Sequence, residues 1–392
     1  MPPYFAITTL LSWLGIGLAL ASAAYACLSL WASLAKPARP KHLQDDVNDQ
    51  ANFAVSVLKP LHGTEPNLYE NLRSFCLQRH GNYELLFGVR DPDDAAIAIV
   101  QALQREFPHL PMTLVIDPQV HGANLKVSNL INMLAHARHE WLVLADSDIR
   151  VPEDYLSRVA SPLADASIGI VTCLYHALAG HTISSRLGRL FIDDWFAPSV
   201  RLAHAFGSTR FAFGSTIALR RNTLLAAGDF EALRNTLADD YWLGELSRQQ
   251  GLRTVLSDVV VGTEVSEADL PGLWAHELRW LRTIRAISPV GFSFSFVCLT
   301  WPMLLIACLL SPTPLCLAIS FIGAAARISR YVASWRSTAR SSPWRDIWLA
   351  PMRDVLLLAE WVAALCRWRV EWRGQVMHAR DHSPTRYPSG RS

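Results

Sequence analysis

Residues 141–145, Trp-Leu-Val-Leu-Ala, run without a charged side chain into Asp146-Ser147-Asp148. An apolar run of this length reads as a buried strand. Side chains two apart in extended chain point the same way, so both carboxylates can face one ligand. Paired carboxylates suit a hard divalent cation such as Mg²⁺, which is held by one or two of them together with substrate phosphates. Capping of a turn, or of a helix opening near Pro152, accounts for the same residues without a ligand. A lone D-x-D arises about once by chance in a chain this long. Its place after a strand pattern gives it weight, because open α/β sheets bind ligands beyond the carboxyl ends of their strands.

Two further carboxylate sites and one basic, aromatic stretch stand out. Asp91 closes the segment 85–90 and precedes Pro92, where, taken alone, turn and cap roles account for it more often than a ligand does. Asp239 and Asp240 are adjacent in Leu-Ala-Asp-Asp-Tyr-Trp, and acidic pairs that open a helix commonly partner its dipole. His276-Glu277-Leu278-Arg279-Trp280, with Arg282 and Arg285 beyond, has a helical pattern and taken alone reads as a cap on a membrane helix.

The elements that must position these residues are legible as alternation. Short apolar runs at 54–58, 84–89, 113–116, 141–145 and 169–173 read as strands, and stretches at 67–78, 94–107, 125–137 and 155–163 read as helices. That order describes an α/β sheet with mostly parallel strands. Three of the strands end in aspartate.

Around this region the chain is unusually apolar: 51% of its 392 residues are hydrophobic and 18% charged, which disfavours a purely water-soluble domain. The first 35 residues carry no charge, and a helix over 5–35 exceeds the roughly 20 residues needed to span a bilayer. A cleaved signal peptide is the rival, but no basic leader precedes the run, which is longer than the usual 7 to 15 residues or so. Lys36, Arg39 and Lys41 follow at once, which places the following chain in the cytoplasm. A second uncharged stretch, 286–326, reads as a helical hairpin turning at Ser311-Pro312-Thr313-Pro314. Arg327, Arg330, Arg336, Arg340 and Arg345 then read as a basic cytoplasmic loop. In 344–368, Arg353, Asp354 and Glu360 interrupt the apolar residues, a pattern for an interfacial or re-entrant segment as much as for a span. The net charge of +2 leaves no basic excess for nucleic acid. The seven cysteines lack paired short spacings, so neither a disulfide framework nor a zinc site is indicated.

In order, these residues resemble the ceramide glucosyltransferase family, glycosyltransferase family 21, over about Val55 to Arg285. Its signature, an Asp after a strand, a D-x-D-like element, a later Asp and a Q/R-x-x-R-W box, falls on Asp91, on Asp146 and Asp148, on Asp240, and on His276 to Trp280. Lys59-Pro60-Leu61-His62-Gly63 and the segment from Asn124 through Lys126 to Leu130 also look like family segments. His276 departs from the pattern, standing where the family usually has Gln or Arg. The stretch HELRWLRTIR looks most like the bacterial branch associated with hopanoid biosynthesis.

The resemblance implies an α/β fold of the GT-A nucleotide-sugar-binding type, with N-terminal and C-terminal membrane helices. The expected organisation is an anchor at 1–35, a cytoplasmic GT-A domain at 36–285, a transmembrane hairpin at 286–335, a basic loop and interfacial or membrane helix at 336–370, and a disordered tail at 371–392. It further implies an inverting, multi-pass enzyme of the bacterial inner membrane. Its donor would be a UDP-sugar, and its acceptor a hydroxyl of a membrane lipid within the bilayer. The bacterial branch implies N-acetylglucosamine and a hopanoid, bacteriohopanetetrol. The alternatives are UDP-glucose with ceramide, a processive polysaccharide synthase, and a catalytically dead scaffold. By the same resemblance Asp148 and Asp146 hold Mg²⁺ or Mn²⁺ against the diphosphate, Asp91 meets the uracil, and Lys126, His276, Arg279 and Trp280 bind the UDP-sugar. Asp240 is the general base that takes the acceptor's proton.

Overall fold

The computed structural model describes residues 3–35, 53–178, 180, 182–337, 346–372 and 375–378. The chain forms two compact units: Pro37–Leu178 with Ser208–Ser266 and Glu371–Ser392, and Met1–Lys36 with Ala179–Gly207 and Glu267–Val370.

The first unit holds an eight-stranded sheet. Its strands are β1 (Val55–Pro60), β2 (Tyr83–Val89), β3 (Met112–Ile116), β4 (Trp141–Leu144), β5 (Ile149–Arg150), β6 (Ile168–Ala177), β7 (Ile217–Arg220) and β8 (Arg253–Thr263). They lie in the order β3-β2-β1-β4-β7-β6-β8-β5. Pairing is parallel from β3 through β4 and between β6 and β8, and antiparallel at β7 and β5. The sheet is therefore mixed, mostly parallel, as the alternation of strands and helices requires. The five strands read from periodicity match β1 to β4 and β6. The short β5 and β7, and β8, whose apolar run is broken by Ser257 and Asp258, carry no such signal.

Alternating side chains serve two core layers. Val55, Val57, Leu85, Phe87 and Val143 pack with Leu72 and Phe75 of the Leu68–Cys76 helix, and with Val100 and Leu103 of the Ala96–Glu106 helix. Leu58, Leu86, Leu142 and Leu144 pack on Val127, Leu130 and Met133 of the Leu125–Leu134 helix. Each such fully buried side chain contributes about 1.5–3 kcal/mol. Gly88 admits that last helix. A Cβ there would lie 2.3 Å from Asn129 Oδ1, whose own amide donates to the Gly88 carbonyl at 2.8 Å.

The second unit is helical: Pro3–Leu34, Ile183–Leu190, Ala197–Ala205, Leu270–Ile287, Pro289–Phe294, Thr300–Leu310, Pro314–Ser337 and Leu349–Cys366, with a π-helix at Phe191–Phe196. Two stretches, Ala6–Leu34 and Pro314–Ser334, are long and apolar enough to cross a membrane, or three if Pro289–Cys298 and Thr300–Leu310, bent by 73°, count as one span. The chain is thus built for membrane association. Small residues let these helices meet: Cβ atoms at Gly15 and Gly323 would come within 2.8 Å of Ala307 O and 3.0 Å of Ala23.

The expected turn lies between Thr300–Leu310 and Pro314–Ser337. Arg327, Arg330 and Arg336, however, are not in a basic loop: they lie on the second of these helices, where Arg327 and Arg330 are 2% and 1% exposed. Both pair with Asp194, at 2.6 and 2.7 Å, and Arg327 also pairs with Asp354 at 3.0 Å. The partner carboxylates let charge continue inside a helix packed among apolar neighbours. Of the residues used for orientation, Lys36, Arg39, Lys41, Arg340 and Arg345 lie outside the described residues, as do 373–374 and 379–392 of the tail, while strands at Arg369–Trp372 and Gln375–His378 replace the expected disorder in its described part.

Candidate functional site

β4 ends at Leu144, and the chain leaves the sheet as Ala145-Asp146-Ser147-Asp148, where parallel strands leave a crevice for ligands. Lys126, on the first turn of the Leu125–Leu134 helix, places its ammonium 2.6 Å from Asp146 Oδ1 and 3.5 Å from Asp239 Oδ2. Asn124 caps that helix, its side chain accepting from the N–H groups of Lys126 and Val127 at 3.0 and 3.1 Å. The same amide donates to Thr236 O at 2.8 Å and Asp239 Oδ1 at 3.3 Å, so one cap residue sets both the lysine and the acidic pair.

Asp239 and Asp240 open the Asp239–Gln249 helix, as their adjacency suggests. Asp240 also accepts from the N–H of Gly214 at 2.9 Å and that of Tyr241 at 2.7 Å. Gly214 in turn accepts from the N–H of Asp146 at 3.2 Å. Lys126, Asp146, Gly214 and Asp239 border one cavity of about 10 Å³, room for about one water molecule.

Lys59, at the end of β1, is fully buried; its ammonium donates to the Asp146 carbonyl and lies 4.0 Å over the Phe75 ring. Thr263, the last residue of β8, donates its hydroxyl to Asp148 Oδ2 at 2.6 Å. Ser147 donates to Glu65 at 2.6 Å.

The electrostatics follow from this crowding. Burial and the neighbouring Asp146 push the Asp148 carboxyl up to about 7, against the pull of Thr263 and Lys59. Burial and Asp239 push Asp240 up to about 6, while Lys126 and the Tyr241 N–H act the other way. Burial brings the Lys59 ammonium down to about 7 despite Asp148, Asp146 and Glu65. Lys126 is also buried, yet Asp146, Asp239 and Asp240 raise its pKa. Like-charge crowding at Asp146 and Asp148 is what a divalent cation relieves. No third His, Cys, Asp or Glu completes a protein-only cage among the described residues. Two carboxylates fit an Mg²⁺ or Mn²⁺ ion that takes its remaining ligands from phosphate and water.

The sheet unit thus brings together Lys126, Asp146, Asp148 and Asp240. Asp91 belongs to the same unit: it follows β2, is exposed, and accepts from the Asp93 N–H at 2.9 Å in a local turn. His276, Arg279 and Trp280 share the Leu270–Ile287 helix of the helical unit, where their spacing puts them on one side. The His276 ring stands 4.8 Å from Trp280 at 85°, and Phe191 and Phe196 lie 5.7 and 6.5 Å from Trp280.

Gly214, Thr263 and Asn124 in its capping role have no signal in periodicity or motif. Lys59 had one, since it and Lys126 are two of only four lysines in the chain.

The family model for glycosyl transferase family 21 matches residues 14–384. Ceramide glucosyltransferase 1 of Caenorhabditis elegans is 23% identical over 236 residues, 60% of this chain and 50% of that protein. Ceramide glucosyltransferase 3 of the same organism is 22% identical over 301 residues, 74% of this chain and 64% of that protein. The chain therefore spans about half to two-thirds of the length of these curated relatives. Among solved structures, the mannosyltransferase PcManGT from Pyrobaculum calidifontis, in complex with GDP-Man and Mn2+, is similar with a TM-score of 0.55 and 19% identity, covering 91% of this chain and 99% of that one. That likeness bears on the fold, which is GT-A-like. With a family match running through nearly the whole sequence, the chain belongs to glycosyl transferase family 21.

Proposed function

We propose that this protein is an inverting glycosyltransferase that moves a hexose from a UDP-sugar to a hydroxyl of a membrane lipid. The observation that carries the reading is the set of acidic groups around Lys126 and Gly214 beyond β4: two carboxylates for a metal and diphosphate, and a third whose raised pKa suits proton transfer. Departure of UDP builds negative charge on the diphosphate. Asp148 and Asp146 would hold a divalent cation, which would supply neutralisation of that charge. Asp240 takes the proton from the attacking hydroxyl. Lys126 holds Asp146 in place, and the Arg279 guanidinium offers a planar fork to phosphate oxygens. Trp280 supplies a flat apolar face for sugar or lipid.

Our preferred substrates are UDP-N-acetylglucosamine and a hopanoid, on the resemblance of HELRWLRTIR. The names of the two nematode relatives favour a second reading, UDP-glucose and ceramide. The Mn2+ that accompanies GDP-Man in the mannosyltransferase complex supports a divalent cation here. The test is incubation of the purified full-length protein with labelled UDP-sugars and separate hopanoid and ceramide acceptors, with mass spectrometry of the lipid product. A ceramide product from UDP-glucose selects the second reading, and no glycolipid from any pair overturns both. We place the catalytic unit on the cytoplasmic side of a bacterial inner membrane. Its protection from protease in inside-out vesicles would contradict that orientation.

A further inference from the structure

His276 stands where Gln or Arg is expected, and its surroundings give the imidazole a specific use. The ring nitrogen Nδ1 is hydrogen-bonded to Glu267, whose side chain is 12% exposed. Burial raises the Glu267 carboxyl whereas the hydrogen bond from His276 lowers it, and the group lies below the usual carboxylate range as an ionised acceptor. An ionised carboxylate only accepts, so the proton of a neutral imidazole sits on Nδ1 and the lone pair on Nε2. Nε2 is buried and has no hydrogen-bond partner among the described residues. The edge-to-face packing on Trp280, 4.8 Å away, fixes the ring's direction.

Resting on the glycosyl-transfer reading above, we propose that Glu267 is a positioning residue that sets the tautomer of His276, so that Nε2 accepts a hydrogen bond from a substrate hydroxyl. The partner must bring a proton. Ionised diphosphate oxygens have none to give, whereas the hydroxyls of a sugar or of a polyhydroxylated lipid do. An arginine at this position is a donor only and serves the opposite partner. A buried lone pair without a donor is costly, so a hydroxyl that satisfies it is discriminated from an analogue lacking that hydroxyl.

The experiment compares the full-length wild type with His276→Arg, His276→Gln and Glu267→Leu. Turnover and KM are measured separately for UDP-sugar and lipid, with single-deoxy analogues of each. His276→Arg should raise KM for one substrate by about tenfold with little change in kcat, the size of one lost hydrogen bond. His276→Gln keeps an acceptor oxygen and should stay within about threefold of wild type. Glu267→Leu should raise the same KM. One deoxy analogue should cost the wild type about tenfold and cost His276→Arg nothing further; whether it is a donor or a lipid analogue identifies the source of the hydroxyl. If Glu267→Leu does not purify as a folded protein, Glu267→Met, which likewise lacks an acceptor oxygen, carries the same measurement. Unchanged KM values in His276→Arg, or analogue losses that add to those of the variant, overturn the inference while leaving glycosyl transfer intact. A wild type that transfers no sugar overturns the function on which it rests.

Discussion

The backbone N–H of Gly214 donates to Asp240 Oδ2 at 2.9 Å. A residue without a side chain is needed there, because a Cβ would lie 2.6 Å from Asp146 Oδ2 and 3.2 Å from Lys126 Nζ. Gly214→Ala should therefore displace the Asp146 carboxylate. We expect turnover to fall at least tenfold, with a stability loss of about 1–2 kcal/mol. Parallel measurement of turnover and melting temperature checks this; near-normal turnover would show that the carboxylate's position is immaterial.

Asp240 should control the acid limb of activity. With its carboxyl at about 6, transfer should decline as pH drops through that value, because a protonated base accepts nothing. The sign for stability is opposite. A raised pKa in the folded state means that the group's stabilisation is complete below about pH 4 and is lost as pH rises through about 6. Asp240→Asn should thus lose most turnover, yet at pH 7.5 be more stable than wild type by up to about 2 kcal/mol, the gain vanishing near pH 4. Asp239→Asn removes a charge that raises Asp240, so it should keep turnover and move the acid limb to lower pH. A larger loss in Asp239→Asn than in Asp240→Asn would move the base elsewhere. The pH–rate profiles and melting temperatures decide.

Asp148→Ala should abolish divalent-cation dependence and weaken UDP-sugar binding, since its carboxylate would hold the cation that neutralises the diphosphate. Turnover titrated with Mg²⁺ and Mn²⁺ provides the readout. Unchanged metal dependence with near-normal turnover would sink the assignment. Thr263→Val, which removes only the hydrogen bond to Asp148, should weaken binding by about fivefold to tenfold.

Lys126→Met leaves Asp146 and Asp239 without the ammonium that separates their charges. We expect a loss of about 1–3 kcal/mol, moderated because the Asp146 side chain is 37% exposed. Addition of Mg²⁺ should recover part of that stability, the cation replacing the ammonium. Melting curves with and without metal test both statements.

In the helical unit, Arg327→Met should cost about 3–5 kcal/mol, because Asp354 then loses its guanidinium partner while keeping the Trp301 N–H at 3.2 Å, and Asp194 loses one of two arginines. Pairing it with Asp354→Leu should recover much of the loss, since a well-packed apolar pair replaces a buried ion pair at little cost. Thermal unfolding in detergent of the single and double variants provides the comparison.

Local pattern carried much of this protein. The run of Trp141 to Ala145 into Asp146 and Asp148 announced a strand and its ligand-facing end, because alternation and burial act over a few residues. The uncharged N-terminal stretch and the Ser311-Pro312 turn were equally plain, since helix length and proline geometry are local properties. Other features depend on residues far apart in the chain. Nothing near Gly214 indicates that a carboxylate and an ammonium will occupy the space a Cβ would take there, and nothing near Thr263 indicates Asp148 as its partner, 115 residues away. Arg327 and Arg330 have the composition of an exposed basic loop. Their burial is decided by Asp194, more than 130 residues earlier in sequence. Periodicity reports which face of an element is apolar, whereas the pairing of a buried charge depends on which elements fold against one another, and only the tertiary structure determines that.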